Sequence, residues 1–117
     1  MSKPVGPYTP ILQRGNWLVS SGQLGLKEGL LVEGIASQTI QALKNLEALL
    51  LENSSGLHEL VKVTVFLTSM QDFDEMNKAY ISVLRDNRPT RSAIGVCALP
   101  LGACVEIEGW AWHEQGN

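Results

Sequence analysis

No apolar run in this chain approaches the roughly 18 residues of a membrane-spanning helix. Its opening, MSKPVGPYTP, holds no apolar stretch of the signal-peptide kind. These two absences set the expectation of a cytoplasmic location away from any membrane. Basic residues are scarce and scattered: 9 Lys and Arg stand against 12 Asp and Glu, for a net charge of −3. Nucleic acid as the main partner needs clustered cations, and an anionic membrane surface needs a polybasic segment, so neither is expected. The two histidines, His58 and His113, lie far apart and show no metal-ligand spacing with the cysteines. Only two cysteines occur, Cys97 and Cys104, and nothing indicates an oxidising compartment; they read as small apolar strand residues rather than a disulfide. The glycine-rich stretch GQLGLKEG has neither G-x-G-x-x-G nor Gly-Lys-Ser/Thr, which argues against a nucleotide cradle. No G-x-S-x-G elbow frames Ser20 or Ser21, which argues against a serine hydrolase.

What remains is an ordinary globular composition, 44% hydrophobic and 18% charged, without repeats or low-complexity segments. A chain of 117 residues is expected to form one domain, residues 1–117, and to bury roughly two-thirds of its unfolded surface. Runs 8–13 and 17–21, parted by Arg-Gly-Asn, read as a hairpin. The four-glycine stretch SGQLGLKEGLLVEG reads as a loop or irregular hairpin. Ile40, Leu43, Leu46 and Leu50 recur at helical steps and predict a helix over 35–53, closed by Asn53-Ser54-Ser55-Gly56. LVKVTVFLT alternates and predicts a strand over 60–68, with Val61, Val63, Val65 and Leu67 on one face. Phe73, Met76, Tyr80 and Leu84 predict a second helix over 72–84, and two strands follow at 92–98 and 103–112.

The order β-β-α-β-α-β-β is that of an α+β domain with both helices on one face of the sheet. In the last strand Val105, Ile107, Gly109 and Ala111 share one side; Cys104, Glu106, Glu108, Trp110 and Trp112 share the other. If the helices cover the aliphatic side, two tryptophans beside two carboxylates are left uncovered. That mixture suits an interface with polar pockets, so a homo-oligomer is expected.

The chemistry concentrates in residues 89–108, PTRSAIGVCALPLGACVEIE. A hairpin turning near Leu99 to Gly102 would bring Arg91 close to Glu106 and Glu108. Arg91 could then be a partner in a buried ion pair with either glutamate. It could equally hold a substrate carboxylate in its planar fork while Glu106 handles a proton or positions water. Spacing alone leaves both open.

This segment resembles the C-terminal signature of the RidA (YjgF-like) family, in which Pro-x-Arg-Ser is followed by a leucine, a short turn and a hydrophobic-Glu-Ile. GPYTP, VSSGQLGL and VKVTVFLTSMQDFDEMNKAY resemble three further family segments, in order, so the resemblance spans essentially the whole chain. It implies a fold similar to small α+β chorismate mutases and a homotrimer with clefts between subunits. It also implies hydrolytic deamination of reactive 2-enamino or 2-imino acids, such as 2-aminoacrylate, to 2-keto acids and ammonia, without metal or organic cofactor. Carried over by position, Arg91 matches the carboxylate-binding arginine and Glu106 the catalytic acid, while Tyr8, Ser21, Gly22 and Asn77 match residues of the cleft. Glu108 then becomes the structural partner. The chain departs from the family pattern at Thr9, Pro10, Gly25, Ala93 and Cys97; the first three are expected to reshape the cleft wall and so bear on which substrate is preferred. The competing expectation is a trimeric binder or sensor of small 2-keto acids that turns nothing over. A binder needs the guanidinium but has less need of Glu106.

Overall fold

The computed structural model describes residues 6–116. The hairpin near the start forms from β1 (Ile11–Arg14) and β2 (Trp17–Ser20), turning at Gly15 and Asn16, with Tyr8 in the loop before it. The glycine-rich stretch supplies β3 (Gln23–Leu24) and a small separate hairpin of β4 (Leu26–Lys27) and β5 (Leu30–Leu31). Helix α1 (Ile35–Leu51) is followed by β6 (Leu60–Leu67), helix α2 (Phe73–Leu84), β7 (Thr90–Gly95) and β8 (Val105–Trp112). The main sheet runs β1-β2-β8-β6-β7, with β3 extending the β2 side of β8; only β6 and β7 are parallel.

Both helices pack on one face of this mixed sheet. Leu43, Leu46 and Leu50 of α1 meet Val63, Val65 and Leu67 of β6 and Val105, Ile107 and Ala111 of β8 in a single core. Each such fully buried aliphatic side chain contributes about 2 kcal/mol of transfer free energy, which is why these elements and not the loops set the architecture. Ile40, expected in the stripe, lies at its margin; Ile35, Thr39, Ala42 and Leu49 complete it. The helix end is closed by Ser54, whose φ is 64°, and by the Ser55 amide donating to the Leu50 carbonyl at 2.9 Å. β6 alternates as expected except at its start. A register irregularity between Leu60 and Lys62 turns Leu60 inward and Val61 outward.

The expected pairing of the last two strands is overturned. β7 and β8 do not form a hairpin: β6 lies between them, paired to β7 on one side and β8 on the other. The segment between them crosses the end of β6, where the Val96 amide donates to the Leu67 carbonyl and the Thr68 amide to the Cys104 carbonyl. Pro100–Gly102 is a short 3-10 turn within this crossing, with Leu101 at φ 60°. The buried Gln38 of α1 anchors it, its Oε1 accepting from the Cys104 amide at 2.9 Å. No helix among the described residues is long and apolar enough to cross a membrane.

Candidate active site

The expected site residues fall into two groups, and the sheet keeps them apart. The first gathers where β2 passes into β3. Val19 opposes Trp110 on β8, but Gln23 opposes Ile107, so one extra residue is accommodated between them. This bulge lifts Ser21 and Gly22 over the glutamates of β8; bulges re-aim side chains in this way beside functional sites. Tyr8, Ser21, Gly22, Leu24, Pro100, Glu106 and Glu108 line a cleft of about 370 Å³ there.

Within that cleft Ser21 is committed to architecture. Its hydroxyl donates to the Thr9 carbonyl at 2.6 Å and its amide to the Pro10 carbonyl at 2.8 Å, tying down the loop that carries Tyr8. Only the hydroxyl's lone pairs are left for a ligand, and the Ser21 amide cannot polarise one. Gly22 touches the acid directly: a Cβ on it would lie 2.6 Å from the Glu106 carboxyl carbon. Burial, and secondly the charge of Glu108, push the Glu106 carboxyl above its ordinary value of 4.5. Asn45 of α1 holds the neighbouring strand segment, its amide donating to the carbonyls of Leu24 at 3.0 Å and Leu26 at 2.9 Å. Gly25 packs against α1, where a Cβ would meet Gln38 Cα at 2.7 Å. That departure from the family pattern is therefore a matter of helix contact; neither it nor Thr9 nor Pro10 is among the residues lining this cleft.

The second group lies against α2. Arg91 opposes Val63, which is buried under the helices, so its side chain leaves β7 on the helix face. Glu106 and Glu108 oppose Phe66 and Thr64 and project from the other face. The Arg91 guanidinium carbon stands 4.8 Å from the Tyr80 ring centre and 5.7 Å from that of Phe73. Asn77, Tyr80, Ile81, Arg88, Pro89 and Arg91 line a cleft of about 300 Å³. The Oδ1 of Asn77 and the hydroxyl of Tyr80 are buried without a hydrogen-bond partner among the described residues. Arg88 is fastened by its guanidinium to the carbonyls of Arg85 and Asn87.

The ion pair considered for Arg91 with Glu106 or Glu108 does not form within the chain. Two strand spacings across and three residues along separate the Arg91 and Glu106 backbones by about 14 Å, with the side chains on opposite faces. The sole ion pair among the described residues joins His113 to Glu59. No group of three or more His, Cys, Asp or Glu among them is arranged to hold a metal. Cys97 and Cys104 are both free thiols, Cys97 exposed and Cys104 partly buried.

The open face of the sheet carries Trp110 and Trp112, each about two-fifths exposed, with Trp17 edge-on to both at 5.6 and 5.0 Å. Sequence reasoning took Tyr80 and Phe73 only as the apolar stripe of α2 and did not find their contact with Arg91. It also missed Gln38 and Asn45. Their only signal was a polar residue placed within or beside a helix stripe that turns toward the strands.

The fold is thus an α+β domain with a cleft bordered by two carboxylates on one face and, on the other, a cleft whose guanidinium has no ion-pair partner among the described residues. The family model described as Endoribonuclease L-PSP matches residues 1–113. A RutC family protein of Pyrococcus horikoshii is 39% identical over 115 residues, covering 96% of this chain and 91% of that one. RidA from the Antarctic bacterium Psychrobacter sp. has TM-score 0.91 at 35% identity, over 94% of this chain and 91% of that chain. E. coli TdcF, solved with bound serine, has TM-score 0.91 at 28% identity, over 95% and 91%. The chain belongs to the RidA (YjgF-like) family.

Proposed function

We propose that this protein hydrolyses reactive 2-enamino and 2-imino acids to 2-keto acids and ammonia, in clefts assembled between the subunits of a homotrimer in the cytoplasm. The observation that carries the proposal is the geometry: a guanidinium without an ion-pair partner among the described residues in one half-cleft and a half-buried carboxyl in the other, on opposite faces of one sheet. Neither half suffices alone, and β7 is an edge strand, so Arg91 of one copy is free to meet Glu106 of another. The exposed tryptophans of the open face supply apolar surface for such an assembly.

In this mechanism Arg91 grips the substrate carboxylate bidentately, which fixes C2 and makes attack effectively unimolecular. The enamine tautomerises to the imine. Water adds to C2 as its proton passes to Glu106, and Glu106 returns a proton to the nitrogen. From the resulting carbinolamine the C2 hydroxyl proton passes through Glu106 to the amino nitrogen, so that C2=O forms as the C2–N bond breaks, leaving the keto acid and ammonia. A carboxyl raised above its ordinary value by burial suits this exchange, because it takes up the water proton more readily than a solvated carboxylate and can pass it on. Asn77 lines the Arg91 half, and Tyr8 and Gly22 border the acid half. The bound serine of TdcF, a small carboxylate, is in keeping with this substrate class. RNA cleavage is not part of the proposal, since a net charge of −3 opposes a phosphate backbone.

The test generates 2-aminoacrylate from serine with a dehydratase in the presence of semicarbazide. Diversion of the trapped intermediate to pyruvate by the wild-type protein, lost in Arg91→Ala and Glu106→Gln, is the expected result. Binding of pyruvate without any diversion would establish the non-catalytic keto-acid binder instead.

A further inference from the structure

Arg91 is held in an unusual way for a buried-side guanidinium. It has no carboxylate partner among the described residues, yet it is only partly exposed and stands against two aromatic rings. The nearer ring belongs to Tyr80, which is 4% exposed and therefore fixed by the core beneath it. Aromatic faces attract a guanidinium through the ring quadrupole without using any of its N–H groups. An ion pair or a set of carbonyl contacts would hold Arg91 as firmly, but would occupy the donors that a ligand carboxylate needs. Arg88, on the same cleft, illustrates the difference, for its guanidinium is engaged by main-chain carbonyls.

We propose that Tyr80 is a positioning residue for carboxylate recognition: its ring is the platform on which Arg91 is stacked, turning the donor edge of the guanidinium toward the cleft. The inference rests on the reading that Arg91 binds the substrate carboxylate. The ring does the positioning, not the hydroxyl. The hydroxyl is buried and unpartnered among the described residues, and burial raises its pKa, so it stays a neutral phenol beside two arginines. Phe73, farther at 5.7 Å, closes the other approach to the guanidinium.

The experiment replaces Tyr80 in the full-length protein with phenylalanine and then with mono-, tri- and pentafluorophenylalanine. Fluorination drains the ring quadrupole while nearly preserving shape, so packing is held almost constant. Two readouts are taken: the calorimetric Kd for pyruvate, and kcat and KM for in situ 2-aminoacrylate. Tyr80→Phe is expected to match the wild type within about twofold in Kd, with an unchanged or higher Tm. Across the fluorinated series Kd and KM are expected to rise stepwise, by about tenfold in total, while kcat stays within about twofold. A merely structural Tyr80 would give a flat series, which overturns the platform even if turnover is intact. A loss in Tyr80→Phe as large as in the pentafluoro variant would shift the role to the hydroxyl and equally overturn it. If deamination is absent but the pyruvate Kd still follows fluorination, the platform stands and only the catalytic reading fails. If pyruvate does not bind the wild-type protein at all, both fall.

Discussion

Arg91 and Glu106 occupy opposite faces of one sheet, with β6 running between their strands. A site that uses both cannot close within a single chain, however the side chains rotate. What the fold offers instead is two half-clefts, each rigid because it is built on a strand and backed by a helix or a bulge. On the proposed reading, assembly of the catalytic cleft falls to the pairing of copies, which would do what a hairpin would otherwise have done.

Mixed oligomers test this directly. Arg91→Ala and Glu106→Gln are each expected to be inactive alone. Co-refolded in equal amounts, a trimer with clefts shared between two copies regains about a quarter of its sites by random assembly. Deaminase assay of the mixture reads the outcome. No recovery, with mixed trimers verified by native mass spectrometry, would mean that each cleft takes both groups from one chain.

The pH profile follows from the environment of Glu106. Its carboxyl is raised above 4.5 by burial and then by Glu108. A base so placed gains activity as pH climbs through the raised value, so the acid limb of kcat/KM is expected above pH 4.5. Glu108→Gln removes the smaller cause and is expected to move that limb to lower pH without bringing it fully back. The same shift has a stability sign. The folded state holds the proton more tightly than the unfolded one, so stability declines as pH rises through the folded value. Glu106→Gln should therefore be inactive yet more resistant to urea at pH 7, and an inactive variant of lower urea midpoint would contradict this.

Much of this molecule was legible in its sequence because burial writes a period into it. Val105, Ile107, Gly109 and Ala111 face the helices, and Glu106, Glu108, Trp110 and Trp112 the open side, as two-residue alternation requires. The pairing of β7 was misread because strands adjacent in sequence so often form hairpins. The sequence did hold the corrective: β6-α2-β7 is a strand-helix-strand unit, whose strands lie parallel side by side, leaving β8 to the other edge of β6. Residue-level carry-over brought Tyr8, Ser21, Gly22 and Glu106 into one cleft and Asn77 and Arg91 into another. It could not foresee that Ser21 is bound to the Thr9 carbonyl, since a main-chain partner has no residue type to recognise.

Gly22 gives a steric prediction. An added methyl group would overlap the Glu106 carboxyl at 2.6 Å from its carbon, and the acid would have to swing away. Gly22→Ala is expected to lower kcat/KM by about a hundredfold, the scale of a misplaced reacting group. Because the far end of a flexible side chain can move aside into the cleft, the fold should lose no more than about 1 kcal/mol. Pyruvate binding at Arg91 is expected to suffer far less than turnover. Equal losses in calorimetric Kd and in kcat/KM would show that Gly22 serves the fold and not the acid.

The clasp at the end of β8 gives the last. Glu59 accepts from the Ser55 hydroxyl at 2.7 Å and lies 2.8 Å from His113 Nδ1, joining the turn before β6 to the C-terminal end of β8. The Ser55 bond is the largest influence on its carboxyl and, with His113, outweighs burial to hold it below 4.5. A lowered carboxylate value contributes stability that is present above the unfolded pKa and is lost as pH falls through the folded one. Glu59→Gln is therefore expected to reduce stability at pH 7 by only about 0.5 kcal/mol, because solvent reaches both side chains. That corresponds to a Tm lower by about 2 °C, with the gap closing on acidification below pH 4.5. Because the clasp lies at neither half-cleft, kcat/KM of this variant should match the wild type. A difference in Tm that persists unchanged at low pH would assign the effect to lost packing instead of charge.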